Sequence, residues 1–267
     1  RLAWQPAFVR EFLAGGALLA VASALLAWMG PGLLIAVRHF LGDGRSLGEA
    51  ALVIQVMLML GQALRMVTNA TLPFLTRPGE DITRRQQRFA VNVWQLAFYL
   101  GGACYLLGTQ VLPGLVSGLL GASFQPAGDL LAQFSWILIL LGLIQTLRLL
   151  MIGRGLYRQY LIALLLGSTT LALTVMILVA QGAVSLPALF SGLGLAYGAC
   201  VLAMLKQLGT VGIRLPWSTL VGAPALLAVI IAVHHVGAST ASAASLTLVG
   251  LGLLVLAALL HWRWTPA

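Results

Sequence analysis

Charged residues divide this chain into long silent intervals. No Asp, Glu, Lys or Arg falls within 12–37, 89–128, 159–205 or 215–262, and 46–72 holds only Glu49 and Arg65. A helix that crosses hydrocarbon needs about 20 apolar residues, because the core is roughly 30 Å thick and each residue rises about 1.5 Å. Residues 12–37 and 46–72 each supply one such span. The interval 89–128 is too long for one helix and breaks at "PGLVSGLLGASFQPAG", which leaves a span near 89–117 and a fourth over 129–150. The interval 159–205 divides at "QGAVSLP", and 215–262 divides at "HHVGASTAS". The pattern predicts an all-α polytopic transmembrane bundle of about eight spans, with 1–267 as a single transmembrane domain.

The cations between these intervals give the bundle a direction. With the N-terminus in the cytoplasm, Arg1, Arg10, Arg77, Arg84, Arg85, Arg88, Arg148, Arg154, Arg158, Lys206, Arg214 and Arg263 fall on or near the inner side. Only Arg38 and Arg45 fall outside, and this asymmetry is the one expected of correctly phased spans. Both termini are then cytoplasmic. Composition agrees: 60% of residues are hydrophobic and 8% charged, with a mean hydropathy of +1.01. A soluble domain would carry about a quarter charged residues. The net charge of +9 marks cytoplasmic loops and anionic membrane lipid as partners, not nucleic acid. Cys104 and Cys200 both lie in apolar runs and read as small buried hydrophobes.

Against this background one residue stands out. Arg65 lies inside the second span, and its nearest carboxylates in sequence are Glu49 and Glu80. At about 100° per residue, Gln55, Gln62, Arg65 and Asn69 share an arc of roughly 80°. If the helix continues to Arg77, Arg65 sits roughly 18 Å from that end, too far to snorkel. An arginine at such depth costs at least about 2.5–3.5 kcal/mol on insertion scales, so it should face protein or water. Two readings follow: an aqueous cavity that receives a ligand, or a structural hydrogen-bond network between helices. Asn92 and Gln95 on the third span, and Gln145 with Arg148 late in the fourth, could line the inner mouth of the same cavity. For Arg148, interfacial anchoring is the favoured reading over lining the cavity.

The chain offers little for catalysis. It has six acids in all, Glu11, Asp43, Glu49, Glu80, Asp81 and Asp129. No nucleophile–His–acid set, phosphate-cradling glycine loop or Cys/His metal spacing is present in the sequence. The chain therefore reads as no enzyme, with no catalytic residue, metal site or cofactor. A buried cation with almost no acid nearby should attract an anion, and a guanidinium suits the oxygens of a lipid-attached diphosphate.

Two stretches carry a family resemblance. "FLGDGRSLGEAALVIQVMLMLGQALRMVTNATLPFLTR" presents Leu41-Gly42, Leu47-Gly48 and Leu72-Pro73-Phe74-Leu75-Thr76-Arg77. "GLLGASFQPAGDLLAQFSWILILLGLIQTLRLLMIGRGLYRQYL" presents Leu120-Gly121, Phe124, Ala127, Leu130-Leu131 and Gly153-Arg154. In order and spacing these resemble the second half of polysaccharide flippases of the MOP superfamily (multidrug, oligosaccharidyl-lipid and polysaccharide exporters). Glu49-Ala50 stands where that family usually has a tyrosine. The resemblance implies about 12 to 14 spans in two pseudo-symmetric lobes that rock around a central, often cationic cavity. It implies export of undecaprenyl-diphosphate-linked oligosaccharide by alternating access across the bacterial inner membrane. This chain would be the C-terminal lobe, needing a missing N-terminal lobe or partner half. A multidrug or small-solute exporter of the same superfamily, or a noncatalytic membrane subunit of a polysaccharide-export assembly, is the alternative.

Overall fold

The computed structural model describes residues 6–42, 44–70 and 82–212. Predicted spans seven and eight, the polar loop around Glu80 and the "LPFLTR" turn lie outside the described residues. Within them the chain is helical, with eight α-helices, one 3-10 turn and no strand. The helices are α1 (Pro6–Leu41), α2 (Arg45–Ala70), α3 (Ile82–Gln110), α4 (Leu112–Leu120), α5 (Gln125–Phe134), α6 (Ile137–Gly153), α7 (Tyr157–Ala180) and α8 (Leu186–Thr210). Four of them contain a segment long and apolar enough to cross a membrane: Gly15–Leu41, Arg45–Met66, Tyr157–Ala180 and Leu186–Thr210. Two bent pairs raise the number to six if each pair is one span. The chain is a multi-pass membrane protein, and the first six predicted spans each find a helix or a bent pair.

The bends revise two predicted boundaries. The stretch 113–128 is expected to be a break, yet α4 occupies half of it, turned 45° from α3 at Val111. Pro113 explains how helix resumes there: it sits in the first turn of α4, where its missing N–H leaves nothing unsatisfied. The fourth span is likewise interrupted, with α5 and α6 meeting at 54° across Ser135 and Trp136. Tighter three-residue bonds bridge this break, from Leu138 N to Ser135 O at 3.0 Å and from Ile139 N to Trp136 O at 3.1 Å. Ser135 Oγ donates to Ala132 O at 3.0 Å, competing for the carbonyls that a continuous helix would use.

Close backbone approach holds the bundle around α6, which packs against α2, α3, α7 and α8. Every residue from Leu141 to Met151 is buried. On α3, a Cβ at Gly101 would lie 2.8 Å from Ile139 Cα, and one at Gly108 would lie 2.6 Å from Ser135 Cβ. Such glycine seams let helices pack tightly where lipid provides no hydrophobic drive between them. The "GLAYG" pair behaves unequally. Gly194 receives the Trp136 ring, whereas Gly198 faces open space. Cys200 is fully buried and Cys104 partly so, both as free thiols.

Candidate functional site: a cationic cleft on the central helix

The polar residues of α2 and α6 meet because the two helices run side by side in the same direction. Leu141 touches the Gly61 position and Gly142 lies against Leu64. One turn further on, this pairing sets Arg65 beside the Gln145–Arg148 turn. Ser23 of α1, Tyr160 of α7 and Tyr197 of α8 complete a half-open cleft of about 100 Å³ with Gln62, Arg65, Gln145 and Arg148. Tyr160 is placed by the turn before α7: Gly155 adopts φ 69°, a backbone that glycine tolerates best. Leu156 N then reaches back to Met151 O at 2.8 Å.

Arg148 is only 8% exposed, so it is a buried cation and not an interfacial anchor. Its Nη1 donates to Gln145 Oε1 at 3.3 Å one turn earlier. Its Nε is buried with no hydrogen-bond partner, and so is the hydroxyl of the fully buried Tyr160. Arg65, Arg148 and Tyr160, from three helices, line the same cleft. Arg65 itself is exposed at the cleft. Among the described residues, no carboxylate lines the cleft. Glu49 is held by Arg45 at 2.7 Å, and Asp129 is exposed on α5. Buried polar groups normally find partners, and Arg148 Nε and the Tyr160 hydroxyl are the unmet atoms among the described residues that line the cleft.

Four of the eight residues singled out from sequence meet in this cleft: Gln62, Arg65, Gln145 and Arg148. The other four do not line it. Gln55 and Asn69 are exposed elsewhere on α2, and Asn92 is exposed on α3. Gln95 is half-buried on α3, with its Oε1 lacking a partner. The helical arc grouped Gln55 and Asn69 with Arg65, but the cleft spans less than three turns of α2. Arg148 lies five residues before the end of α6 at Gly153, about 8 Å along the helix. The distance drawn to Arg77 runs through residues outside those described.

Sequence reading missed Ser23, Tyr160 and Tyr197. Only Tyr160 gave a usable signal, as a phenol one turn into an apolar helix just beyond the Arg154–Arg158 cluster. A second, apolar groove of about 310 Å³ lies between α1 and α7, with Ser168 among residues such as Trp28, Leu33 and Leu171. Among the described residues, no group of three or more His, Cys, Asp and Glu side chains could hold a metal ion. Compared with protein-family models, curated proteins and solved structures, the chain matches none.

Proposed function

We propose that this chain is one lobe of a polysaccharide-type flippase of the MOP superfamily. In this reading it moves a diphosphate-linked oligosaccharide lipid outward across the bacterial inner membrane, together with a second lobe. The observation that carries the proposal is the meeting of Arg65 and Arg148, from separate helices, in a half-open cleft with no carboxylate among its described lining residues. Guanidiniums on two walls can grip the oxygens of a phosphate with directed, charge-assisted hydrogen bonds. A cleft of about 100 Å³ takes the phosphate end of such a cargo and leaves the glycan to lie against the partner lobe. The placement of the cleft toward the end of α6 also suits a headgroup arriving from the inner leaflet, given the orientation inferred from loop charge.

The same small volume favours one competing reading, export of a small anionic solute. Drug-sized ligands occupy pockets of about 300–1,000 Å³. The deciding experiment is complementation of a strain lacking the full gene, with lipid-linked glycan measured on the inner leaflet. Wild type should clear the accumulated glycan. Arg65→Gln and Arg148→Gln should fail to do so at normal protein levels. Full clearance by both variants would contradict the proposal, and no accumulation in the deletion strain would direct attention to the small solute.

A further inference from the structure

We propose that the groove between α1 and α7 binds one acyl chain of a membrane phospholipid, whose headgroup lies at the level of Arg38 and His39. This goes beyond the flippase reading and does not depend on it. The two helices run in the same direction, since Gly15 packs on Tyr157 and, further along, Met29 reaches the Gly167 position. Beyond that contact each helix carries a pair of small residues one turn apart, Gly32 and Ala36 on α1, Ser168 and Ala172 on α7. All four line the groove. Small residues leave space that neither helix fills, and about 310 Å³ of it stays half-open here. Buried Met29, Leu33 and Leu171 line it as well. Ser168 adds no polar surface, because its Oγ is buried.

Surroundings, depth and width select the occupant. Only 22% of the most apolar stretch of each helix is buried, and Ile35, Leu173 and Met176 are exposed. The two helices therefore turn their outer faces to lipid. With no water at that depth, hydrocarbon fills an apolar recess whose walls would otherwise lose packing contacts. Arg38 and His39 are exposed in the last turn of α1, where such side chains reach the headgroups. Trp28, at the far end of the groove, lies ten residues back. That is roughly 15 Å along the helix, half of a hydrocarbon core about 30 Å thick. The groove thus covers the depth of one leaflet. Its 310 Å³, spread over the roughly 12 Å from Trp28 to Ala36, is far narrower than a helix about 10 Å across. A single chain fits where a partner helix does not. Bound there, it completes the contact between α1 and α7, which supply Ser23, Ala27 and Tyr160 to the cleft.

The test uses the full chain, purified from membranes through a dodecyl maltoside wash. Native mass spectrometry should find a single phospholipid retained on each chain. Ala172→Phe and Ala36→Phe fill the groove from opposite walls, and each should lose that lipid. Leu173→Phe, exposed and outside the lining, should keep it. A second arm strips the protein and titrates back phosphatidylcholine brominated at mid-chain. The Trp28 signal is read as the difference between wild type and Trp28→Phe. Its quenching should saturate at one lipid per chain and exceed the quenching from bromines placed beside the headgroup. This arm leaves the groove walls unaltered, so it holds even where a filled variant folds poorly. No retained lipid together with no saturable quenching in the wild type would overturn the inference. Undiminished retention in both filled variants would also overturn it, by placing the lipid elsewhere. Retention of a prenyl-chain lipid in place of a phospholipid would overturn it too, while favouring the flippase reading.

Discussion

Tyr160→Phe should have two effects of opposite sign. The Tyr160 ring is fully buried in the core, and its hydroxyl has no hydrogen-bond partner. Phenylalanine keeps the ring and its packing, and deletes only the unmet oxygen. An unsatisfied buried polar group costs about 1–3 kcal/mol, so the variant should be at least as stable as wild type when no small anion is present. With pyrophosphate bound, the balance reverses. Tyr160 lines the cleft together with Arg65 and Arg148. A hydrogen bond to a charged acceptor contributes about 1.5–3 kcal/mol, which corresponds to roughly a ten- to hundredfold loss of affinity. Thermal unfolding in gluconate, followed by the fluorescence of the seven tryptophans, reads the first effect. A pyrophosphate titration reads the second. A clear drop in midpoint without pyrophosphate would show that the hydroxyl is bonded within the protein. Unchanged pyrophosphate affinity would remove Tyr160 from the site.

Other substitutions test the packing that builds the cleft. A side chain at Gly167 would overlap Cys200 Sγ and approach Ala196 O to 2.9 Å. Gly167→Leu should therefore lose about 1–3 kcal/mol to overpacking, seen as a lowered midpoint or poor yield. Gly198→Ala faces open space and should leave the midpoint unchanged. Arg45 joins the α1–α2 turn to the stretch before α5, through Glu49 at 2.7 Å and Ser123 O at 3.3 Å. Its side chain is 68% exposed, so Arg45→Ala should cost under about 1 kcal/mol in the same melts.

The spans were legible because charge is so costly in hydrocarbon that its absence marks them one by one. The breaks were harder to read. Ser135–Trp136 carries neither glycine nor proline, and a serine whose hydroxyl can bond back to Ala132 O is a weak local sign of the 54° bend there. It forms because Gly108 admits Ser135 and Gly194 admits the Trp136 ring, contacts made by residues far away in the chain. Site residues divide in the same way. Arg65 stood out through its own cost, and Gln62 shares its face. Gln145 and Arg148 looked peripheral because Arg148 lies six residues from Arg154. Only the burial of α6 on all sides turned them inward. Gln55 and Asn69 show the limit of a helical wheel, which groups residues by angle and ignores depth.

The central claim is that Arg65 and Arg148 line a wet cleft that prefers anions, and thiol labelling tests it most directly. A single cysteine is placed at Gln62 after Cys104 and Cys200 are replaced by alanine. Its reaction rates with anionic and cationic methanethiosulfonate reagents are then compared, each relative to the exposed Gln55→Cys control. The account predicts that Gln62→Cys reacts with both, favours the anionic reagent relative to that control, and loses the preference when Arg148→Gln is added. A thiol that no water-soluble reagent reaches, or one that favours the cationic reagent, would contradict it.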